Sequence, residues 1–261
     1  MIDETIDRTM LGTPLSRADP WVRFCALDPC ARLRLFCFPY AGGGASSYRS
    51  WAGRFPNWID VCPVQLPGRE ERLREAAFTN MDELCAEVLR ALAPYFDMPV
   101  AFFGHSMGAL IAYHLATCLH DQGRRLSHLL VSAHPAPHVP LTRPPSYDLP
   151  DAAFAERLRQ LNGTSELVLQ DPELMALVRP LLRADFKLSE CTARTLRDPL
   201  SCPVTALGGF ADREVGRLHL EAWREVTSGA FRLYMIPGDH FYLFADEAQS
   251  TGLIGECLAQ P

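Results

Sequence analysis

Gly104-His105-Ser106-Met107-Gly108 has the means to do covalent chemistry. A serine oxygen is a weak nucleophile unless the backbone holds it out beside a base, and a sharp strand-to-helix turn does so. The run Val100-Ala-Phe-Phe before this segment suits a short strand, and Ala109-Leu-Ile-Ala112 after it suits a helix. Gly104 and Gly108 leave room for neighbouring backbone to come close. A helix beginning after Ser106 adds its positive end and the N–H of Met107, both useful to a developing oxyanion. The chemistry expected is acyl transfer through a serine nucleophile.

Such a serine needs a base within hydrogen-bond reach, an acid to orient that base, and a second oxyanion donor. Where the elbow tops a parallel sheet, the partners arrive in the order serine, acid, histidine, each on a loop after a strand. Of eight histidines, only His219 and His240 lie beyond the later strands. His219 falls inside an expected helix, whereas His240 follows the last strand in Pro237-Gly238-Asp239-His240, so His240 is the expected base. Asp212, after the strand ending at Gly208-Gly209, is the expected acid; Glu214 is its rival, and Asp239 adjoins the histidine too closely to face it. The second oxyanion donor is expected in Tyr40-Ala41-Gly42-Gly43-Gly44, with Ala41 favoured and Tyr40 next. His105 is expected to pack or hydrogen-bond structurally, and His134 and His138 have no assigned role. No cluster has metal-ligand spacing, and no cofactor is expected.

The elements that must position these groups alternate. Strands are expected over 32–39, 59–65, from about 100 up to the elbow, 126–133, 202–208 and 231–237, with helices near 79–92, just after Ser106, near 214–227 and from about 241. Thr79 is the expected cap of the first helix, whose Met81, Leu84, Cys85, Val88, Leu89 and Leu92 form a core-facing stripe. Alternation of this kind implies a mostly parallel central sheet covered on both faces, an α/β fold. The rhythm breaks between about 136 and 198. A proline-rich stretch precedes helices near 151–161 and 172–190, the second started by Asp171-Pro172 and bent or broken at Pro180. This reads as a helical lid over the active site; the alternative is a crossover connection with an overlong loop. The expected organisation is a flexible tail over 1–20 and a single domain over 21–261 that contains the lid.

Composition narrows the class further. A net charge of −6 with no basic cluster argues against nucleic acid, and no apolar stretch is long enough for a bilayer. Nine scattered cysteines without paired spacing suit buried, reduced thiols, and the acidic start lacks a secretory apolar core. A cytoplasmic protein, monomeric and away from membranes, is expected.

Five segments together resemble a known family. They are Phe38-Pro39-Tyr40-Ala41-Gly42-Gly43, Gln65-Leu66-Pro67-Gly68-Arg69, Gly104-His105-Ser106-Met107-Gly108, Leu181-Leu182-Arg183-Ala184-Asp185-Phe186 and Gly238-Asp239-His240-Phe241. In this order, over about residues 20 to 255, they resemble the type II (external, editing) thioesterases of polyketide and nonribosomal-peptide synthases. The resemblance implies an α/β-hydrolase fold with a mobile helical lid. It also implies hydrolysis of aberrant or stalled acyl groups from the phosphopantetheine arm of acyl or peptidyl carrier proteins. By position it maps nucleophile, acid and base to Ser106, Asp212 and His240, and the oxyanion donors to Ala41 and Met107. One departure is Cys191, where relatives often carry a tyrosine after the glutamate. Carrier proteins are typically acidic, so Arg69, Arg72 and Arg74 are candidate docking residues, a solvated charged loop being the plainer reading. An esterase or lipase acting on free esters, or an inactive carrier-binding relative, are the alternative functions.

Overall fold

The structure, a computed structural model, describes residues 19–260 apart from Thr142 and Arg194. The expected tail therefore lies outside the described residues up to position 18. From Asp19 the chain is held, since the Asp19 carboxylate accepts the Trp21 N–H at 2.7 Å and the Tyr95 hydroxyl at 3.0 Å.

Among the described residues six strands form one sheet: β1 (Leu33–Phe38), β2 (Ile59–Pro63), β3 (Val100–His105), β4 (His128–Ser132), β5 (Val204–Gly209) and β6 (Phe231–Ile236). Their spatial order is β2-β1-β3-β4-β5-β6 and every pairing is parallel. Side chains alternate between two buried faces, as a strand's period of two requires. Phe36, Phe38, Phe102, Leu129 and Val131 point into one layer, with α1 (Met81–Leu92) and α2 (Met107–Asp121). Leu35, Cys37, Phe103, Leu130 and Leu207 point into the other. A 3-10 segment, Ala45–Gly53, and the final helices α7 (Tyr242–Ala245) and α8 (Glu247–Ala259) cover that second face. The order reverses between β1 and β3, and such a reversal opens a crevice at the carboxyl ends of the strands. Ser106 and the glycine loop after β1 both lie at this crevice.

Several boundaries differ from those expected. Asn80, not Thr79, caps α1, its side chain accepting the N–H groups of Asp82 at 2.9 Å and Glu83 at 3.1 Å. Thr79 lies one residue too far from those donors, and a cap of this kind contributes about 1 kcal/mol. Between β4 and β5 the chain forms α3 (Asp151–Leu161), α4 (Glu166–Gln170) and α5 (Pro172–Cys191). Asp171 caps α5 as expected, accepting from Glu173 and Leu174, but Pro180 does not break it. Pro180 and Ala176 are both exposed, so water can satisfy the carbonyl that proline leaves without a donor. The helix expected near 214–227 divides into α6 (Arg217–Glu221) and a 3-10 turn, Ala222–Val226.

Candidate active site

Ser106 stands at the tip of β3 with φ 53° and ψ −120°, a conformation that L side chains rarely adopt. The surrounding packing enforces it. A Cβ on Gly104 would meet the Gly108 carbonyl oxygen at 2.0 Å, and one on Gly108 would meet the Phe38 oxygen at 2.1 Å. The elbow is thus wedged against the end of β1, and only glycine fits at either flank. Met107 is the first residue of α2, where a backbone N–H has no partner within the helix. Ala41, Ser106 and Met107 line one cavity together.

The structure brings Ser106, His240 and Asp212 into one relay. His240 Nε2 lies 3.0 Å from Ser106 Oγ, and His240 Nδ1 lies 2.8 Å from Asp212 Oδ2. The Asp212 carboxylate has no side-chain exposure, and its Oδ1 accepts the N–H groups of Glu214 at 2.8 Å and Val215 at 3.2 Å. Those donors fix its orientation. An ionised acceptor at Nδ1 assigns the proton there, leaving Nε2 free to accept from the serine hydroxyl.

Rival residues have other partners. Glu214 pairs with Arg157, whose Nη1 and Nη2 donate to its two oxygens at 3.0 and 2.6 Å, and with Arg143. Asp239 instead accepts the Phe241 N–H at 2.9 Å. His219 lies in α6, and its Nδ1 accepts the Gly216 N–H at 3.2 Å. His105 is fully buried beneath the elbow, with Nδ1 2.9 Å from Ser132 Oγ, which in turn lies 2.7 Å from the Tyr242 hydroxyl. Burial, helped by nearby His240, pushes its pKa well down, so His105 is a neutral packing group. His134 accepts the Trp223 indole N–H at its backbone oxygen, and His138 lies 3.4 Å from Glu225.

Two of the three arginines proposed for docking are internal. Arg69 is 4% exposed and makes a two-pronged pair with Asp185 on α5, both contacts at 2.8 Å. It also donates to the Gly43 carbonyl at 3.0 Å, while Asp185 accepts the Gly42 N–H at 2.7 Å. Arg72 is 8% exposed, stacks over Trp21 and donates to the Gln65 carbonyl at 3.0 Å. Neither can meet a partner; only Arg74 of the three is exposed. The sequence reading missed Asp185 as a support of the glycine loop. Its signal was a carboxylate on the apolar stripe Val178, Leu181 and Leu182 of α5, which requires a buried cation.

Two cavities meet at Ser106. The larger, about 130 Å³, has a polar wall that includes Arg143, Arg157, Glu190 and Glu214. The smaller, about 50 Å³, is lined by Leu158, Leu161, Leu182, Phe186 and Phe241. Among the described residues no helix is long and apolar enough to cross a membrane.

Comparison with known proteins agrees with this architecture. Residues 33–260 match the thioesterase domain family. The gramicidin S biosynthesis protein GrsT of Aneurinibacillus migulanus is 44% identical over 233 residues, covering 89% of this chain and 91% of that protein. Thioesterase PikA5 of Streptomyces venezuelae is 38% identical over 225 residues, covering 85% and 80%. The solved structure of the type II thioesterase BorB from the borrelidin biosynthetic cluster superposes with a TM-score of 0.84 at 37% identity. That match covers 94% of this chain and all (100%) of BorB. The chain belongs to the thioesterase family, as a type II thioesterase with the α/β-hydrolase fold and a serine hydrolase acting on thioesters.

Proposed function

We propose that this thioesterase clears aberrant or stalled acyl groups from the phosphopantetheine arm of acyl or peptidyl carrier proteins. The relay from Asp212 through His240 to Ser106 is the observation that supports this reading most. In the proposed mechanism Ser106 Oγ attacks the thioester carbonyl while His240 Nε2 takes its proton. Asp212 holds the imidazole tautomer and stabilises its cation. The N–H groups of Ala41 and Met107 hold the oxyanion, a contribution of about 3 kcal/mol per donor in such sites. His240 then returns the proton to the departing pantetheine thiolate, and an acyl-serine remains. Water, deprotonated by the same histidine, attacks the acyl-serine; the acyl–Oγ bond breaks, His240 returns the proton to Ser106 Oγ, and the free acid leaves. Every proton moved resides on the serine, the histidine, the thiol or water, so no cofactor enters.

The two cavities favour a division of the substrate. The larger, polar one suits the amide-bearing pantetheine arm, and the smaller, apolar one suits a short acyl chain. Helices α3 and α5 line both, and belong to a lid formed by about residues 136–198 that must shift to admit a carrier-borne arm.

Single-turnover release from acylated carrier protein tests the reading, with Ser106→Ala and a matched oxygen ester alongside. Carrier turnover that is lost in the variant, with slow ester cleavage, is expected. Ester cleavage without carrier turnover would replace this reading by a free-ester hydrolase.

A further inference from the structure

Away from the active site, two thiols and a carboxylate meet where the N-terminal strap crosses the edge strand β2. The strap pairs with the end of that strand, since Arg23 N–H donates to the Pro63 carbonyl at 3.0 Å and Gln65 N–H to the Trp21 carbonyl at 2.8 Å. Beyond that pairing the strap turns at Phe24 and Leu27, whose φ values are 56° and 52°. Between them Cys25 is half-buried, and its Sγ lies 2.7 Å from Sγ of the fully buried Cys62. Asp60 lies two residues before Cys62 and is 2% exposed. Neither of its carboxylate oxygens has a hydrogen-bond partner, and one oxygen lies within 4.8 Å of both sulfurs. Arg34, 3.5 Å away, balances its charge.

We propose that Cys25 and Cys62 are a redox site that closes to a disulfide on reaction with a peroxide, with Asp60 as the proton acceptor of the closing step. The sulfurs need less than about 1 Å of further approach to reach a bonded length near 2.05 Å. A metal fits worse. Tetrahedral thiolates bonded at about 2.3 Å stand about 3.8 Å apart, so a metal would have to force these sulfurs away from each other. Cys25 is the side that peroxide can reach. Its thiolate attacks one peroxide oxygen, giving Cys25 sulfenic acid and hydroxide, which is protonated to the first water. The Cys62 sulfur then attacks the Cys25 sulfur and gives up its proton to Asp60, and that proton leaves with the departing hydroxide as the second water. Two thiols are oxidised, one peroxide is reduced to two waters, and Asp60 ends as it began. Burial holds the Cys62 thiol well above its ordinary pKa, which is why the closing step needs a base at hand. The product ties the strap covalently to the sheet edge that supports Arg72 and Gln65.

The test treats the full chain with stoichiometric hydrogen peroxide and maps peptides under non-reducing conditions. A Cys25–Cys62 linkage with the loss of two hydrogens is expected, together with a rise in Tm of several degrees that dithiothreitol reverses. Cys25→Ser, at a half-exposed position, should abolish the linkage and the Tm rise while leaving thioester hydrolysis unchanged. Asp60→Asn should slow closure about tenfold or more, so that dimedone traps the sulfenic acid at Cys25. Two results would overturn the proposal. One is that Cys25 and Cys62 remain alkylatable after peroxide while exposed Cys30 and Cys191 are oxidised. The other is one equivalent of zinc in the purified protein that disappears in Cys25→Ser.

Discussion

The carboxyl edge of the sheet and the helices α3–α5 reach the same serine by opposite means. At the sheet edge, neighbouring loops are joined by backbone. Ser106 N–H donates to the Ser132 carbonyl at 2.8 Å, Ala133 to Leu207 at 2.9 Å, and Ala211 to Gly238 at 2.8 Å. The helices have a small core of their own, Phe154, Leu158, Leu169, Met175 and Leu182. Side-chain ion pairs tie them to the sheet's loops, Arg69–Asp185 to the glycine loop and Arg157–Glu214 to the loop of Asp212. Backbone stitching locates reacting atoms closely, whereas a separately packed unit on two ionic anchors can shift as a body. On the proposed function, the difference separates where chemistry would be done from what would control access to it.

The largest effects should come from the sheet edge. Ser106→Ala should lower single-turnover thioester release by about 10³-fold or more while the thermal transition stays in place. Asp212→Asn should lower kcat by about 10²- to 10⁴-fold, because an amide no longer enforces the Nδ1 proton. If instead both Ser106→Ala and Asp212→Asn retain activity, the relay is not the reacting centre.

Arg69→Met probes the joint between the two regions. It strands a buried carboxylate and should cost about 3–5 kcal/mol of stability by denaturant unfolding. The paired change Arg69→Met with Asp185→Leu should recover much of that stability. It should not recover the rate, since the Gly42 N–H loses its acceptor in the glycine loop.

A pH series addresses a buried histidine of the sheet. His128 on β4 is 3% exposed, and burial, with Arg232 nearby, pushes its pKa down to about 4. The unfolded chain, titrating near 6.5, therefore binds more protons than the folded one between those values, so stability falls as pH drops through that window. His128 should contribute about 2 kcal/mol of the loss between pH 7 and pH 5, and a His128→Gln variant should remove that share while buried His105 and half-buried His114 keep theirs.

Smallest is the change at the outer anchor. Arg157→Gln should leave kcat within a fewfold and shift KM, as the helices loosen over the cavity. An equal fall in kcat and kcat/KM would instead place this pair in the chemistry itself.

Much of the site was legible because its determinants are local. A serine between glycines at a strand-to-helix turn is a short-range pattern, and chain order plus strand ends lead to His240 and Asp212 without any knowledge of distances. The six strands were readable because residues buried on both faces form short apolar runs between turns. Polar residues held by distant partners were not readable. Arg69 and Arg72 look like surface charge in a loop, and only burial against Asp185, Glu75 and Trp21 shows otherwise. Thr79 and Asn80 are both acceptable caps, and the choice turned on which side chain reaches the first N–H groups.

Sequence alone thus pointed to the proposed nucleophile, base and acid and determined the parallel α/β order, since each follows from neighbours in the chain. Tertiary structure alone decided that Arg69 and Asp185 brace the glycine loop, that Glu214 anchors α3, and that Cys25 lies against Cys62. Those contacts join residues 116, 57 and 37 positions apart, and no periodicity or local propensity encodes a pairing across such separations.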